Sequence, residues 1–144
     1  MTGDATEPIE VVDQADPAVL GRLRDALHAF NIATTGIDDD AELFAVLRDD
    51  EGEPYGGVYG WTWGATCWID LLWVRVDRRA EGAGTALMRA AEAEARRRHC
   101  TQIALTTHSF QAPGFYQRLG FETVGELADY PVGHASLLMR KRLR

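Results

Sequence analysis

Cysteine is scarce in this chain of 144 residues: there are two, Cys67 and Cys100. Two thiols make no disulfide framework, so the expectation is a pair of buried or half-buried thiols in a reducing compartment. No pair among the four histidines and two cysteines stands at metal-ligand spacing, so no metal is expected. Long apolar runs are also missing. No stretch reaches the roughly 18 residues of a membrane span, and no charged-then-apolar start suggests export, which predicts a cytoplasmic protein without a membrane partner. Positive charge is in short supply, with 15 Lys and Arg against 22 Asp and Glu for a net charge of −7. Neutralising nucleic-acid phosphates needs a basic face, so nucleic acid is not an expected partner. Arg96-Arg97-Arg98 and Arg140-Lys141-Arg142 are local clusters, and the first reads as a solvated helix end. The absence of G-x-x-x-x-G-K-[ST] argues against a nucleotide-binding domain of the P-loop kind. No internal repeat or low-complexity segment breaks the chain, whose length suits one domain over residues 9–144 behind a small, polar, disordered tail at 1–8.

What is present centres on Cys67 to Arg98. An apolar run, CWIDLLWV, gives way to a short polar loop holding Gly82 and Gly84, and then to an Ala-rich segment of good helix propensity. This is a strand, a glycine loop and a helix. A glycine loop feeding a helix N-terminus leaves several N–H groups without intrahelical partners, at the end where the helix dipole favours negative charge. Such a loop suits a phosphate.

Upstream, Ile9 to Asp13 reads as a first strand, and Asp16-Pro17 as an N-cap followed by proline at the first helical position. Val19, Leu20, Leu23, Leu27 and Phe30 recur at three- and four-residue intervals, which predicts an amphipathic helix with one buried face. Leu43 to Arg48 and Gly56 to Trp63 make a hairpin across Asp49 to Pro54, and Gly64-Ala65-Thr66 turns into the Cys67 strand. Tyr59, Trp61 and Trp63 share one face by alternation, an aromatic row that suits packing against a helix or a ligand wall. After the central helix, Gln102 to Thr107 is a buried strand that can run parallel to the Cys67 strand. Pro113 and Gly114 open a short helix that Gly120 stops, and Phe121 to Leu127 with Ala135 to Leu143 form a last hairpin. The order gives an α/β class, a mixed, mostly antiparallel sheet flanked by helices around a β-α-β core.

Arg79, Gly82 and Gly84 stand as R-x-x-G-x-G, and Ala112 to Phe121 reads APGFYQRLGF. The first resembles the Q/R-x-x-G-x-G/A pyrophosphate loop of the GNAT superfamily of acyl-CoA-dependent N-acyltransferases, and the second that family's A-x-x-F-Y-x-x-x-G-F segment. The resemblance runs from roughly Ile9 to Leu143 and is most specific between Asp70 and Phe121. It implies the GNAT fold, acetyl-CoA as co-substrate, and direct transfer of an acetyl group to a small-molecule or protein amine without a covalent acyl-enzyme. A homodimer is common for this fold. An acidic surface adds a weak long-range bias toward a cationic amine. The alternative is a non-catalytic acyl-CoA-binding module, which would dispense with the residues that carry the chemistry.

On this resemblance the cofactor site comprises Leu72, Trp73, Val74 and Val76 of the strand and its extension, with Arg79, Ala80, Glu81, Gly82, Ala83, Gly84 and Thr85 of the loop. Ser109 falls where an Asn is often seen. Ala80 stands where the family usually has Gly, and Val76 where Pro is common. An alanine lacks a glycine's freedom at positive φ, so a loop that needs it there is strained or reshaped. Tyr116 occupies the place of the tyrosine that protonates the departing thiolate, a task suited to a phenol of pKa about 10. Asp70 interrupts an apolar strand and is the candidate for taking or positioning the amine proton, unless it is bonded to Trp side chains or neighbouring backbone. Trp61, Asp129, Tyr130 and His134 are the candidate acceptor-side residues, able to hold an ammonium through charge and cation–π contact or to relay a proton.

Overall fold

The computed structural model describes Gly3 and residues 7–144. The tail expected at residues 1–8 lies largely outside the described residues. The chain forms two compact units, one ending at Ile37 and one running from Asp38 to Arg144. No helix among the described residues is long and apolar enough to cross a membrane.

In the first unit, α1 spans Pro17–Thr35. Asp16 caps it as the sequence predicts: its Oδ1 accepts the Ala18 N–H at 2.9 Å and the Val19 N–H at 3.4 Å. Gly36 ends it in the left-handed conformation at φ 73°. Two expectations need correction. Ile9 to Asp13 forms no strand, because a five-residue run gains ladder hydrogen bonds only from a neighbour. Within its own unit the apolar stripe of α1 is not buried: Leu23, Leu27 and Phe30 are all more than 60% exposed. Periodicity fixes the stripe on one face of the helix, not what covers it.

The second unit is a six-stranded sheet in the order β1-β2-β3-β4-β6-β5. The strands are β1 (Ala41–Arg48), β2 (Pro54–Trp63), β3 (Thr66–Val74), β4 (Gln102–His108), β5 (Glu122–Ala128) and β6 (Ala135–Arg142). Helix α2 (Ala83–Arg97) connects β3 to β4, and the short α3 (Pro113–Arg118) follows β4. All neighbouring pairs are antiparallel except β3 and β4, whose connection through α2 makes them parallel. The α/β class with a mixed sheet and flanking helices is thus the observed one.

One face of the sheet is the core. Leu43, Val58, Cys67, Ile69, Ile103, Leu105 and Met139 pack with Leu87, Met88, Ala91 and Ala95 of α2. Alternation turns the aromatic row to the other face, where Phe44, Tyr59 and Trp61 meet edge to face at centroid distances of 6.5 and 6.3 Å. That row packs ring against ring rather than on α2.

The register of β2 and β3 carries a bulge: Tyr59 pairs with Leu71 and Gly60 with Ile69, leaving Asp70 as the extra residue. The bulge resets alternation, so Ile69 and Leu72 both lie against the core although three residues apart. Gly60 makes the bulge possible. A Cβ there would sit 2.0 Å from the Trp68 carbonyl oxygen, a contact only backbone movement relieves. Gly60→Ala is therefore expected to destabilise the protein by about 2–4 kcal/mol, read from denaturant unfolding, whereas Gly21→Ala, whose Cβ meets nothing, costs less.

Candidate active site

The pairing of β3 with β4 covers Thr66 to Ile69 against Gln102 to Leu105 and then stops. Asp70 follows at once. Beyond it β3 stays with β2 as far as Val74, while β4 stays with β6 as far as His108. The two strands part, and a cavity of about 720 Å³ opens between them. Its walls include Asp70 to Val74 on one side and Thr106 and Thr107 on the other. A strand edge opened inside a sheet presents N–H and C=O groups to a slot, which suits an extended ligand with amides of its own.

The loop and the N-terminus of α2 close one end of the cavity, through Arg79, Ala80, Gly82, Ala83, Gly84 and Thr85. Gly82, the N-cap, lies at φ 83° and supplies no side-chain cap, so the N–H groups of the first turn keep their capacity for an anion. Arg79 Nε donates to the Val74 carbonyl at 2.7 Å, which folds its guanidinium back along the end of β3. A Cβ on Gly84 would come within 3.4 Å of the Phe115 ring, so α3 packs closely on this turn. The slot and the uncapped helix turn together suit an extended ligand that ends in an anion.

Tyr116 sits at the cavity with its ring in the core, edge-on to Phe115 at 5.1 Å and to Phe121 at 5.8 Å. Burial raises its phenol above the ordinary value of 10. The unfolded chain gives up this proton first. The phenol therefore leaves stability unchanged with pH below about 10 and lowers it as pH rises beyond that. Neither cysteine lines the cavity. Both are free and buried, and burial, with Cys100 nearby, pushes the Cys67 thiol up to about 11.

The other sequence-derived candidates divide. Leu72, Trp73 and Val74 line the cavity, as does Asp70. Val76 does not extend the strand: β3 ends at Val74, and Val76 opens the 3-10 turn Val76–Arg78, largely exposed. Glu81 pairs with Arg78 at 2.9 Å, and that arginine lies over the Tyr55 ring, so the carboxylate is held outside the cavity lining. Ser109 also lies outside it: its N–H donates to the Ala135 carbonyl at 2.8 Å and its Oγ accepts the Ala135 N–H at 3.0 Å, tying the end of β4 to β6. Asp129 Oδ1 accepts the Gly133 N–H at 3.3 Å within its own loop. Trp61, Tyr130 and His134 do not line the cavity either, although His134 stands 4.9 Å from Phe110, which does.

Phe110 and Gln111 were not among the sequence candidates. Gln111 Oε1 accepts the His108 N–H at 2.7 Å, closing the turn after β4 and carrying Phe110 to the cavity. The available signal was an aromatic residue in a polar turn, HSFQ, before Pro113.

A family model described as the Acetyltransferase (GNAT) family matches residues 12–121. The chain belongs to that family. It is 42% identical over 107 residues to a blasticidin-S acetyltransferase of Streptomyces morookaense, a match covering 71% of this chain and 76% of that protein. An acetyltransferase of Agrobacterium fabrum is 32% identical over 130 residues, covering 90% of this chain and 95% of the relative. A crystal structure of a candidate acetyltransferase from Agrobacterium tumefaciens superposes with a TM-score of 0.88 at 31% identity, covering 95% of this chain and all of that one. This GNAT chain is accordingly an acyltransferase, and its acyl donor is acetyl-CoA.

Ala80, in place of the family's usual glycine, adopts φ 66°. It is exposed, so its methyl group gains no packing to offset the left-handed backbone. Relief of about 1–2 kcal/mol of backbone strain, less the roughly 0.5–1 kcal/mol entropic cost of a glycine, predicts a net gain for Ala80→Gly. Thermal unfolding should show a midpoint raised by about 2–4 °C.

Proposed function

We propose that this GNAT enzyme acetylates the primary amine of a small molecule by direct transfer within a ternary complex. The observation that carries the reading is the meeting, in one cavity, of a carboxylate, a buried phenol and a helix N-terminus without a side-chain cap. Acetyl-CoA supplies an acyl thioester. The first turn of α2 and Arg79 would hold its pyrophosphate, and the opened edge of β3 its amides. The amine nitrogen bonds to the thioester carbonyl carbon and the carbon–sulfur bond breaks. Backbone N–H groups near Val74 polarise the carbonyl oxygen. The proton lost by the amine goes to Asp70 or to water, the thiolate takes one from Tyr116, and the phenol regains its proton from solvent. A phenol is protonated at neutral pH with or without the upward shift that burial gives Tyr116, so the proton is there to be given. Two buried, unionised thiols away from the cavity fit transfer without an acyl-cysteine and also a reducing, cytoplasmic setting.

Similarity to a blasticidin-S acetyltransferase favours a small amine-bearing antibiotic over a protein substrate, and blasticidin S is the first acceptor to try. The test is calorimetric binding of acetyl-CoA to the wild type and to folded Gly84→Trp, followed by thiol release over a panel of amines. Binding lost in the variant, with release for some amines only, is expected; binding without turnover on any amine would overturn the assignment. Tyr116→Phe should lower kcat about 100-fold or more with little change in KM for acetyl-CoA, measured in the same assay. Intact mass after incubation with acetyl-CoA alone should show no acetyl adduct on Cys67 or Cys100.

A further inference from the structure

Alternation along β4 sorts its side chains. Ile103, Leu105 and Thr107 are buried on the α2 face, which sends Thr106 and His108 to the opposite one. Asp70 leaves the core face in the same way, directly after buried Ile69, and the reset at the bulge puts Leu71 and Trp73 with it. The cavity therefore has a second side, away from the helix turn.

On this side the end of β4 and the loop before β6 bring four rings together. His108 stacks on Phe110 at 5.3 Å with 4° between the planes. Tyr130 stands edge-on to His108 at 5.3 Å, and His134 edge-on to Phe110 at 4.9 Å. His108 Nδ1 lies 3.0 Å from the Tyr130 carbonyl oxygen, which can only accept, so Nδ1–H donates and the bond holds the ring in place. The loop supplying Tyr130 and His134 is tied down by the Asp129 N–H to the His134 carbonyl at 2.8 Å and the His134 N–H to the Pro131 carbonyl at 2.9 Å. The rings are thus positioned, yet Phe110 and Tyr130 remain 56% and 57% exposed. Rings fixed in place but not buried form a preorganised binding wall, and Phe110 joins it to the cavity holding Asp70.

We propose that the acceptor presents a planar unsaturated ring to Phe110 and Tyr130 while its amine lies toward Asp70. This rests on the reading that the cavity transfers acetyl to an amine. Aromatic faces reward a stacked or edge-on ring beyond the area it buries, by an amount equal to roughly a 3- to 10-fold preference. A saturated ring of equal size collects the burial without that increment.

Benzylamine and cyclohexylmethylamine are suitable probes, each a primary amine one methylene from a six-membered ring. With rates referred to the free amine, the wild type should favour benzylamine roughly 3- to 10-fold in kcat/KM. Tyr130→Leu, outside the cavity lining, and Phe110→Leu should each erase most of that preference, and Tyr130→Leu should leave acetyl-CoA affinity unchanged by calorimetry. Should neither probe be turned over, the two are compared as inhibitors with whichever amine the panel identifies. Equal behaviour of the pair in the wild type, including no inhibition by either, overturns the proposal, as does a preference that survives both substitutions. An enzyme that binds no acetyl-CoA or acetylates no amine fails at the earlier reading instead.

Discussion

The site depends on the parting of two parallel strands. β3 and β4 are held together for four residue pairs and then separate, because Asp70 enters β3 as an extra residue and Gly60 on β2 has no side chain to prevent it. A sheet that stayed paired would satisfy its own backbone and have no place for a ligand. Once parted, β3 offers an edge unpaired with β4, Asp70 is turned away from the core, and the continuing strands become the two walls of one cavity.

Other features follow from that opening. The chain leaves β3 through a 3-10 turn and a left-handed Ala80, which sets α2 so that its uncapped first turn closes the cavity. Helix α3 packs Phe115 against Gly84 and sets Tyr116 in the core at the cavity wall. On the far side, bonds between Ser109 and Ala135 bring the loop before β6 to the end of β4. The uncapped turn of α2 lies on one side of the sheet and Asp70 with His108 on the other, and Tyr116 joins the core to the cavity lining.

Much of this was legible in order along the chain. R-x-x-G-x-G after an apolar strand and APGFYQRLGF after the next one specified the β-α-β core and the cofactor, because each motif names a backbone requirement or a chemical group. The Asp16 cap and the hairpins were also readable, since caps and turns are local. Glu81 and Ser109 are placed at the cofactor by position in a motif alone, and their pairing with Arg78 and Ala135 is something only the fold shows. Ile9 to Asp13 carried strand propensity without a partner, and the stripe on α1 gave a periodicity without a cover.

The sequence by itself determined most of the elements, the family and the residues whose chemistry is intrinsic: glycines at a helix start, a tyrosine, a carboxylate in an apolar strand. Their causes lie within a few residues of one another. Only the tertiary structure decided that Asp70 is the bulge residue, that the strands part there, that β6 lies between β4 and β5, and that Phe110 meets His134 across the end of the sheet. Those facts are pairings between distant segments, set by register and packing, and no local pattern encodes a register.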